Sequence, residues 1–313
     1  MQVVRSYRDV PAPARHGVLT IGNFDGVHLG HQAVITEVKR LAAQVHGPAG
    51  VMLFDPHPRA HFQPNVPLFT LTPLPARLEL LAGLGLDFAA VLPFDAAMAA
   101  LPAQAFIADV LAAGFAIRHA VVGYDFNFGK GRTGNGALLT AEGERLGFGV
   151  TVQDAAGDGD AVYSSSRIRG LLRAGDVAQA ARLMGRWWRI EGEVIAGAGR
   201  GTGMGFPTAN MQLPQGVELA HGIYATWVWI DGQRHPAASY LGKRPTFDNN
   251  APVFETFLLA YGGDLYGRRL AVDLVAFLRP DMAFPDAAAL AVQMDADCAK
   301  ALRILQDADV RRP

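Results

Sequence analysis

An apolar run at 18–21 reads as a buried strand, Gly22 and Gly26 turn the chain, and a pattern rich in helix formers follows over 29–44. A strand that enters a helix through a tight turn commits this part of the chain to layered α/β packing. His28 and His31, in the run His28-Leu29-Gly30-His31, are three apart and share a face at the helix's amino end. Free backbone N–H groups and the helix dipole favour anions there. Two imidazoles in that place form a phosphate site: both rings can donate to a nucleotide's phosphates and stabilise the charge that builds when pyrophosphate leaves. Gly30, lacking a side chain, lets a phosphate approach the backbone. A metal pair would use the same spacing, but zinc needs at least a third side chain and no His/Cys cluster follows. Helix capping alone is the remaining alternative.

Further apolar runs at 50–54, 88–92 and 119–123 predict strands, separated by helical patterns at 74–83 and 102–113. Strands and helices in alternation give a parallel sheet with ligands at the carboxyl ends of its strands. His57, in Asp55-Pro56-His57-Pro58, falls at such an end and is either a phosphate contact or a turn residue without a task. The loop after the fourth strand carries Gly129, Gly131 and Gly134 in the G-x-G-x-x-G spacing of a dinucleotide fingerprint, with Asp154 where a ribose-holding acid would stand. That fingerprint should follow its strand directly, whereas Tyr124 to Phe128 intervene, with two aromatics placed to cover a planar ligand. The dehydrogenase reading therefore ranks behind one in which these glycines and basic residues form a flexible clamp. Ser164-Ser165-Ser166-Arg167-Ile168-Arg169 opens another helix with hydroxyls and guanidinium groups that suit a triphosphate, or that simply cap.

The texture changes at Gly185-Arg186-Trp187-Trp188. Short alternating runs at 189–195, 223–230 and 270–275 predict antiparallel strands, and Asp231-Gly232 signals a hairpin turn. Several strands in so short a span suggest a small closed barrel, with a final helix over about 286–305 packed across it. The fold class is thus α/β plus β: a Rossmann-like parallel sheet with helices on both faces over 1–184, and a small antiparallel β-barrel with a terminal helix over 185–313. Five glycines between Gly197 and Gly205 let backbone N–H groups wrap phosphates, without the G-x-x-x-x-G-K-[S/T] pattern of a Walker loop. Thr208 and Asn210, two apart in an extended segment, point to one side and can offer oxygens to one Mg²⁺ together with a nucleotide. An ordinary glycine-rich turn is the alternative. Glu255 sits in a strand pattern with apolar neighbours, as a surface residue or as an acceptor for the proton of an attacking hydroxyl.

A chain of 313 residues with 50% hydrophobic composition suits two domains with real cores, and a net charge of -1 argues against a broad nucleic-acid or membrane footprint. One cysteine, Cys298, excludes an internal disulfide and fits a reducing cytoplasm. Residues 1–17 hold charges and prolines where a secretory signal needs an apolar stretch, and no run approaches the roughly 18 apolar residues of a membrane span. The expectation is a cytoplasmic protein without nucleic-acid or membrane partners, monomeric or transiently homo-oligomeric.

Four segments in this order, 22–32, 54–58, 122–132 and 164–169, resemble the adenylyltransferase module of the bacterial bifunctional riboflavin kinase/FAD synthetase family. The glycine segment, Ser239-Tyr240-Leu241-Gly242-Lys243-Arg244-Pro245-Thr246-Phe247, 263–267 and 277–280 resemble its riboflavin kinase module. The resemblance implies two ATP-dependent steps, riboflavin to FMN in the barrel and FMN to FAD in the first domain. It also implies ATP as co-substrate and Mg²⁺ as cofactor, with riboflavin, FMN and FAD as ligands. By resemblance, His28 and His31 are catalytic. Gly22, Asn23, Phe24, Asp25, Gly30, Ser165, Ser166 and Arg167 bind the nucleotide, and His57, Asp125 and Asn127 bind the flavin. In the kinase module, Gly199, Gly203, Gly205, Phe206 and Pro207 cover ATP, Thr208 and Asn210 hold Mg²⁺, and Glu255 is the base. The chain departs from the family pattern at Ser166 (usually Thr), at Thr202 (usually Arg, with Arg200 two earlier) and at Phe257 (often His). Two rival readings remain: an adenylyltransferase for another phosphate acceptor with a binding-only barrel, and a flavin sensor without catalysis.

Overall fold

The computed structural model describes residues 1–159, 161–195, 208–214, 216–243, 252–259 and 261–310. The chain divides into two compact units, Met1–Ser165 and Ser166–Pro313.

The first unit is built on six strands, β1 (Gln2–Val4), β2 (Val18–Ile21), β3 (Ala49–Asp55), β4 (Phe88–Pro93), β5 (His119–Gly123) and β8 (Gly149–Gln153). They lie in the order β1-β4-β3-β2-β5-β8, and every pairing is parallel. The strands read as unbroken apolar runs because both faces are covered. Leu19, Ile21, Met52, Ala120 and Val122 face one core, while Val18, Val51, Leu53, Ala89 and Val121 face the other. From β2 the chain passes through helix α1 (Leu29–Gln44) to β3 and, through α2 (Leu74–Gly83), to β4 on one side; it then returns to place β5 on the other. That reversal between β2 and β5 opens a crevice at the strands' carboxyl ends.

Two expectations change form. The helix over 102–113 is a short α turn, Ala103–Ala105, running into a π-helix, Phe106–Gly114. The wider turn seats Phe106, Ile107, Val110 and Leu111 on the sheet together, residues four and five apart. The glycines after β5 build a two-stranded ribbon, β6 (Asn127–Phe128) with β7 (Gly134–Asn135), ahead of α3 (Gly136–Leu146), and after β8 a second ribbon pairs β9 (Gly157–Asp158) with β10 (Ala161–Val162). A side chain on Gly129 would strike Ala103, and one on Gly134 would strike the Phe128 ring. Their bareness serves packing, and no dinucleotide loop forms.

The second unit opens with α4 (Ser165–Arg173), whose first residue belongs to the first unit, and α5 (Val177–Met184). Six antiparallel strands then close into a barrel: β11 (Trp188–Ile195), β12 (Thr208–Met211), β13 (Gly222–Ile230), β14 (Gln233–Lys243), β15 (Pro252–Leu258) and β16 (Arg269–Arg279). Asp231 and Gly232, at φ 50° and 77°, form the two-residue β13–β14 turn that their identities predict. Helix α6 (Ala287–Val310) packs Ala301 and Leu305 on Ala225, Trp227, Val275 and Leu278, pinned by a two-pronged Arg279–Asp297 pair. Inside the barrel, the buried hydroxyls of Thr226, Ser239 and Thr256 form a chain with links of 2.8 and 2.9 Å. Among the described residues no helix is long and apolar enough to cross a membrane.

Candidate active sites

The first site grows from the loop between β2 and α1. Phe24, Gly26 and Val27 hold φ of 51°, 87° and 40°. Such conformations cost of order 1–3 kcal/mol per non-glycine residue and persist only where the surroundings enforce them. The enforcement comes from beneath. Both oxygens of the buried Asp25 carboxylate accept backbone N–H groups, from Leu71 and Thr72 at 3.0 Å each, and Oδ1 lies 3.5 Å from Nη2 of the buried Arg77. Gly22 N–H donates to the carbonyl of Met52, anchoring the loop to the neighbouring strand.

His28 is the N-cap of α1 and only 5% exposed; its Nδ1 accepts the backbone N–H of His31 at 3.3 Å. An accepting Nδ1 places the neutral ring's proton on Nε2. The two imidazoles stack at 3.6 Å between centroids and 19° between planes, with Phe24 4.8 Å from His31. A Cβ on Gly30 would meet the His28 ring at 3.1 Å and Tyr163 Cβ at 3.3 Å. Its missing side chain therefore makes room for the catalytic-candidate ring itself.

Ser165 donates its hydroxyl to the carbonyl of Asp25 at 2.8 Å, joining the start of α4 to the same loop. Ser166 and Arg167 follow in that helix and belong to the second unit. At the end of β3, His57 caps the short helix Pro58–Phe62, with Nδ1 accepting the N–H of Arg59 at 3.0 Å. Asp125 and Asn127 are exposed beyond β5, joined by the Asn127 side chain donating to the Asp125 carbonyl at 2.7 Å. The aromatics between them divide: Phe126 and Phe128 stack at 5.1 Å against the core, while Tyr124 stays 57% exposed.

The second site lies on the barrel. Gly199, Gly203, Gly205, Phe206 and Pro207 fall outside the described residues, and Thr208 is the first residue of β12. Thr208 and Asn210 share a strand face, and Asn210 stands directly across from Glu255. Glu255 in turn faces Tyr240 on β14. Phe254 and Thr256, on either side of Glu255, are fully buried and point the other way, so Asn210, Glu255 and Tyr240 form one row across three strands. The buried hydroxyl chain fixes Thr256 and so fixes the strand that carries Glu255. The neutral oxygens of Thr208 and Asn210 are hard donors suited to Mg²⁺, which takes few protein ligands and keeps water and phosphate oxygens. The described residues hold no group of three His, Cys, Asp or Glu that could cage a metal without such help. Tyr240 lies in a segment that carries the family resemblance but is given no role there; the strand register brings it beside Glu255.

Residues 10–167 match a family model described as FAD synthetase, and residues 184–305 one described as riboflavin kinase. The chain is 38% identical over 309 residues to the bifunctional riboflavin kinase/FMN adenylyltransferase of Pseudomonas fluorescens, covering 96% of this chain and 97% of that protein. It is 36% identical over 299 residues to the protein of the same name from Escherichia coli K12, covering 95% and 96%. A crystal structure described as a macrolide-efflux protein from Streptococcus pneumoniae superposes with a TM-score of 0.86 at 28% identity, covering 94% of this chain and 96% of that one.

Proposed function

The chain belongs to the bacterial bifunctional riboflavin kinase/FMN adenylyltransferase family and carries both activities of flavin-cofactor synthesis; from that premise we propose how its residues divide the work. In the barrel, riboflavin's terminal ribityl hydroxyl attacks the γ-phosphorus of ATP, giving FMN and ADP. Glu255 accepts the hydroxyl proton, and Thr208 and Asn210 hold the metal beside it. In the first unit, the FMN phosphate attacks the α-phosphorus of a second ATP, giving FAD and pyrophosphate. That nucleophile is already ionised, so no protein base is needed. His28 and His31 donate to the phosphates as charge shifts towards pyrophosphate, with Ser165 and Arg167 assisting, and Ser166 binds the nucleotide. Gly22, Asn23, Phe24, Asp25, Gly30 and Ser165 shape the loop and helix end around them, and His57, Asp125 and Asn127 hold the flavin. The glycine segment Gly199 to Pro207 covers the kinase's ATP. Mg²⁺, when bound, neutralises phosphate charge in both steps.

What supports this division most is that the histidine pair and the set Thr208, Asn210 and Glu255 fall in different compact units. We place the functional boundary between 184 and 185, and the enzyme in the cytoplasm as a monomer or transient homo-oligomer. The purified chain with riboflavin, ATP and Mg²⁺, followed by chromatography, is expected to give FMN first and FAD afterwards. FMN without FAD would withdraw the histidine assignment and reopen the adenylyl acceptor. Bound flavin with neither product would replace both assignments with a sensor.

A further inference from the structure

We propose that Arg77 is a positioning residue for adenylyl transfer, holding the loop that aims His28 although it stands outside every motif around the site. The proposal rests on the reading that His28 and His31 act on the nucleotide's phosphates. Arg77 lies near the start of α2 and is 6% exposed. Its Nη1 donates to the carbonyl of Asn23 at 2.8 Å, and its Nε and Nη2 donate to the carbonyl of Thr72 at 3.2 and 2.8 Å. Asp25 returns the link by accepting the amides of Leu71 and Thr72. Two segments more than forty residues apart are thereby laced by three hydrogen bonds and an ion pair between groups shielded from water, and two further bonds fix Arg77 to the Thr72 carbonyl within its own segment. Links of this kind are strong there, and losing one partner strands a buried charge.

What the lacing holds is the strained turn itself. Phe24, Gly26 and Val27 keep positive φ, and the next residue is His28. The direction of the His28 ring follows from backbone angles that Phe24 and Val27 do not themselves favour. Ser165 closes on the carbonyl of Asp25 and so is tied to the same loop. A guanidinium is required because its planar fork reaches the Asn23 and Thr72 carbonyls at once, which a single ammonium does not.

The test compares the full-length parent with Arg77→Lys for FAD formation from FMN and ATP, and for FMN formation from riboflavin and ATP. The assay temperature is one at which circular dichroism shows both proteins folded. A displaced reacting group costs up to about 10²-fold, so kcat and kcat/KM for FAD formation are expected to fall together by about 10- to 100-fold. KM for ATP should stay within about threefold, and riboflavin phosphorylation within about twofold of the parent. Asp25→Asn should behave alike and carries the comparison if Arg77→Lys does not fold. The double variant should be no worse than the worse single change, because the pair acts as one network. FAD formation within about twofold of the parent in Arg77→Lys overturns the proposal, as does a loss confined to KM for ATP. His28→Ala in the same series separates the two readings. An active His28→Ala removes the histidine assignment, whereas an inactive His28→Ala beside an active Arg77→Lys removes Arg77 alone.

Discussion

At the scale of single residues, the first site depends on which edge of an imidazole is presented. The His31 backbone N–H occupies Nδ1 of His28, which places the neutral ring's proton on Nε2. If that proton meets the charge developing on departing pyrophosphate, His28→Ala should slow FAD formation about 10²–10³-fold, as losing one preorganised donor does elsewhere. Riboflavin phosphorylation by the same variant serves as the internal control, and His28→Asn, which keeps a cap acceptor, shows whether capping alone suffices. A rate near the parent's in either variant would make the ring a cap and nothing more. The glycine beside it shows what residue-level reading can and cannot see. Gly30 is legible as a position that tolerates no side chain, but the reason lies in Tyr163, 133 positions away, whose Cβ shares the space with the His28 ring. Spacing reveals the requirement and only packing reveals its source. Asp25 is similar: its place in the motif marks it, while its carboxylate turns inward to Leu71 and Thr72.

Secondary-structure elements were legible where one period ran unopposed. The strands at 18–21, 50–54, 88–92 and 119–123 emerge near their predicted bounds because parallel strands covered on both faces must be continuously apolar. The helix beginning at Phe106 came out wider than its pattern suggested, as a π-helix over Phe106–Gly114. One pairing also carries a pH consequence. His119 on β5 stands across from Gly149 on β8, covers the place a side chain would take there, and meets the Thr151 hydroxyl at 2.8 Å. Burial depresses the imidazole's pKa; Glu37 on α1 opposes that shift and Arg40 on α1 adds to it. A histidine depressed in the folded state binds its proton first in the unfolded chain. Its contribution is therefore complete above the ordinary value near 6.5 and declines as pH falls through it. The slope contributed is at most about 1.4 kcal/mol per pH unit, the limit for one proton, and less for a ring half open to solvent. Urea midpoints between pH 7.5 and 5.5 should show a shallower acid loss in His119→Gln than in the parent. Equal slopes would assign that loss to other groups.

At the scale of the whole molecule, the two activities rest on separate structural foundations. The first unit buries a core on each face of its sheet, and the second packs the outside of its barrel beneath α6. The family's motifs were legible because each of the main ones concentrates glycine, histidine or hydroxyl residues within about a dozen positions. The clamp of Arg77 and the row of Asn210, Glu255 and Tyr240 were not, since they arise from chain closure across a loop and across a barrel. The division implies a one-sided loss. Thr208 stands in β12 and Glu255 in β15, both wholly within the second unit, and no β-ladder of the barrel includes a strand of the first. Removing one hydroxyl oxygen from β12 leaves the backbone ladder to β15 intact, because that ladder is made by main-chain groups. Thr208→Ala should therefore lower FMN formation by at least about 10²-fold, the scale of one missing group in a transition-state cradle. FAD formation from supplied FMN should stay within about twofold of the parent, since the donors of that step remain untouched. With riboflavin as the only flavin, FAD would then fail for want of FMN and return when FMN is added. If added FMN does not restore it, the adenylyl step depends on the barrel's metal-holding strand, and the two reactions cannot be assigned to independent sites.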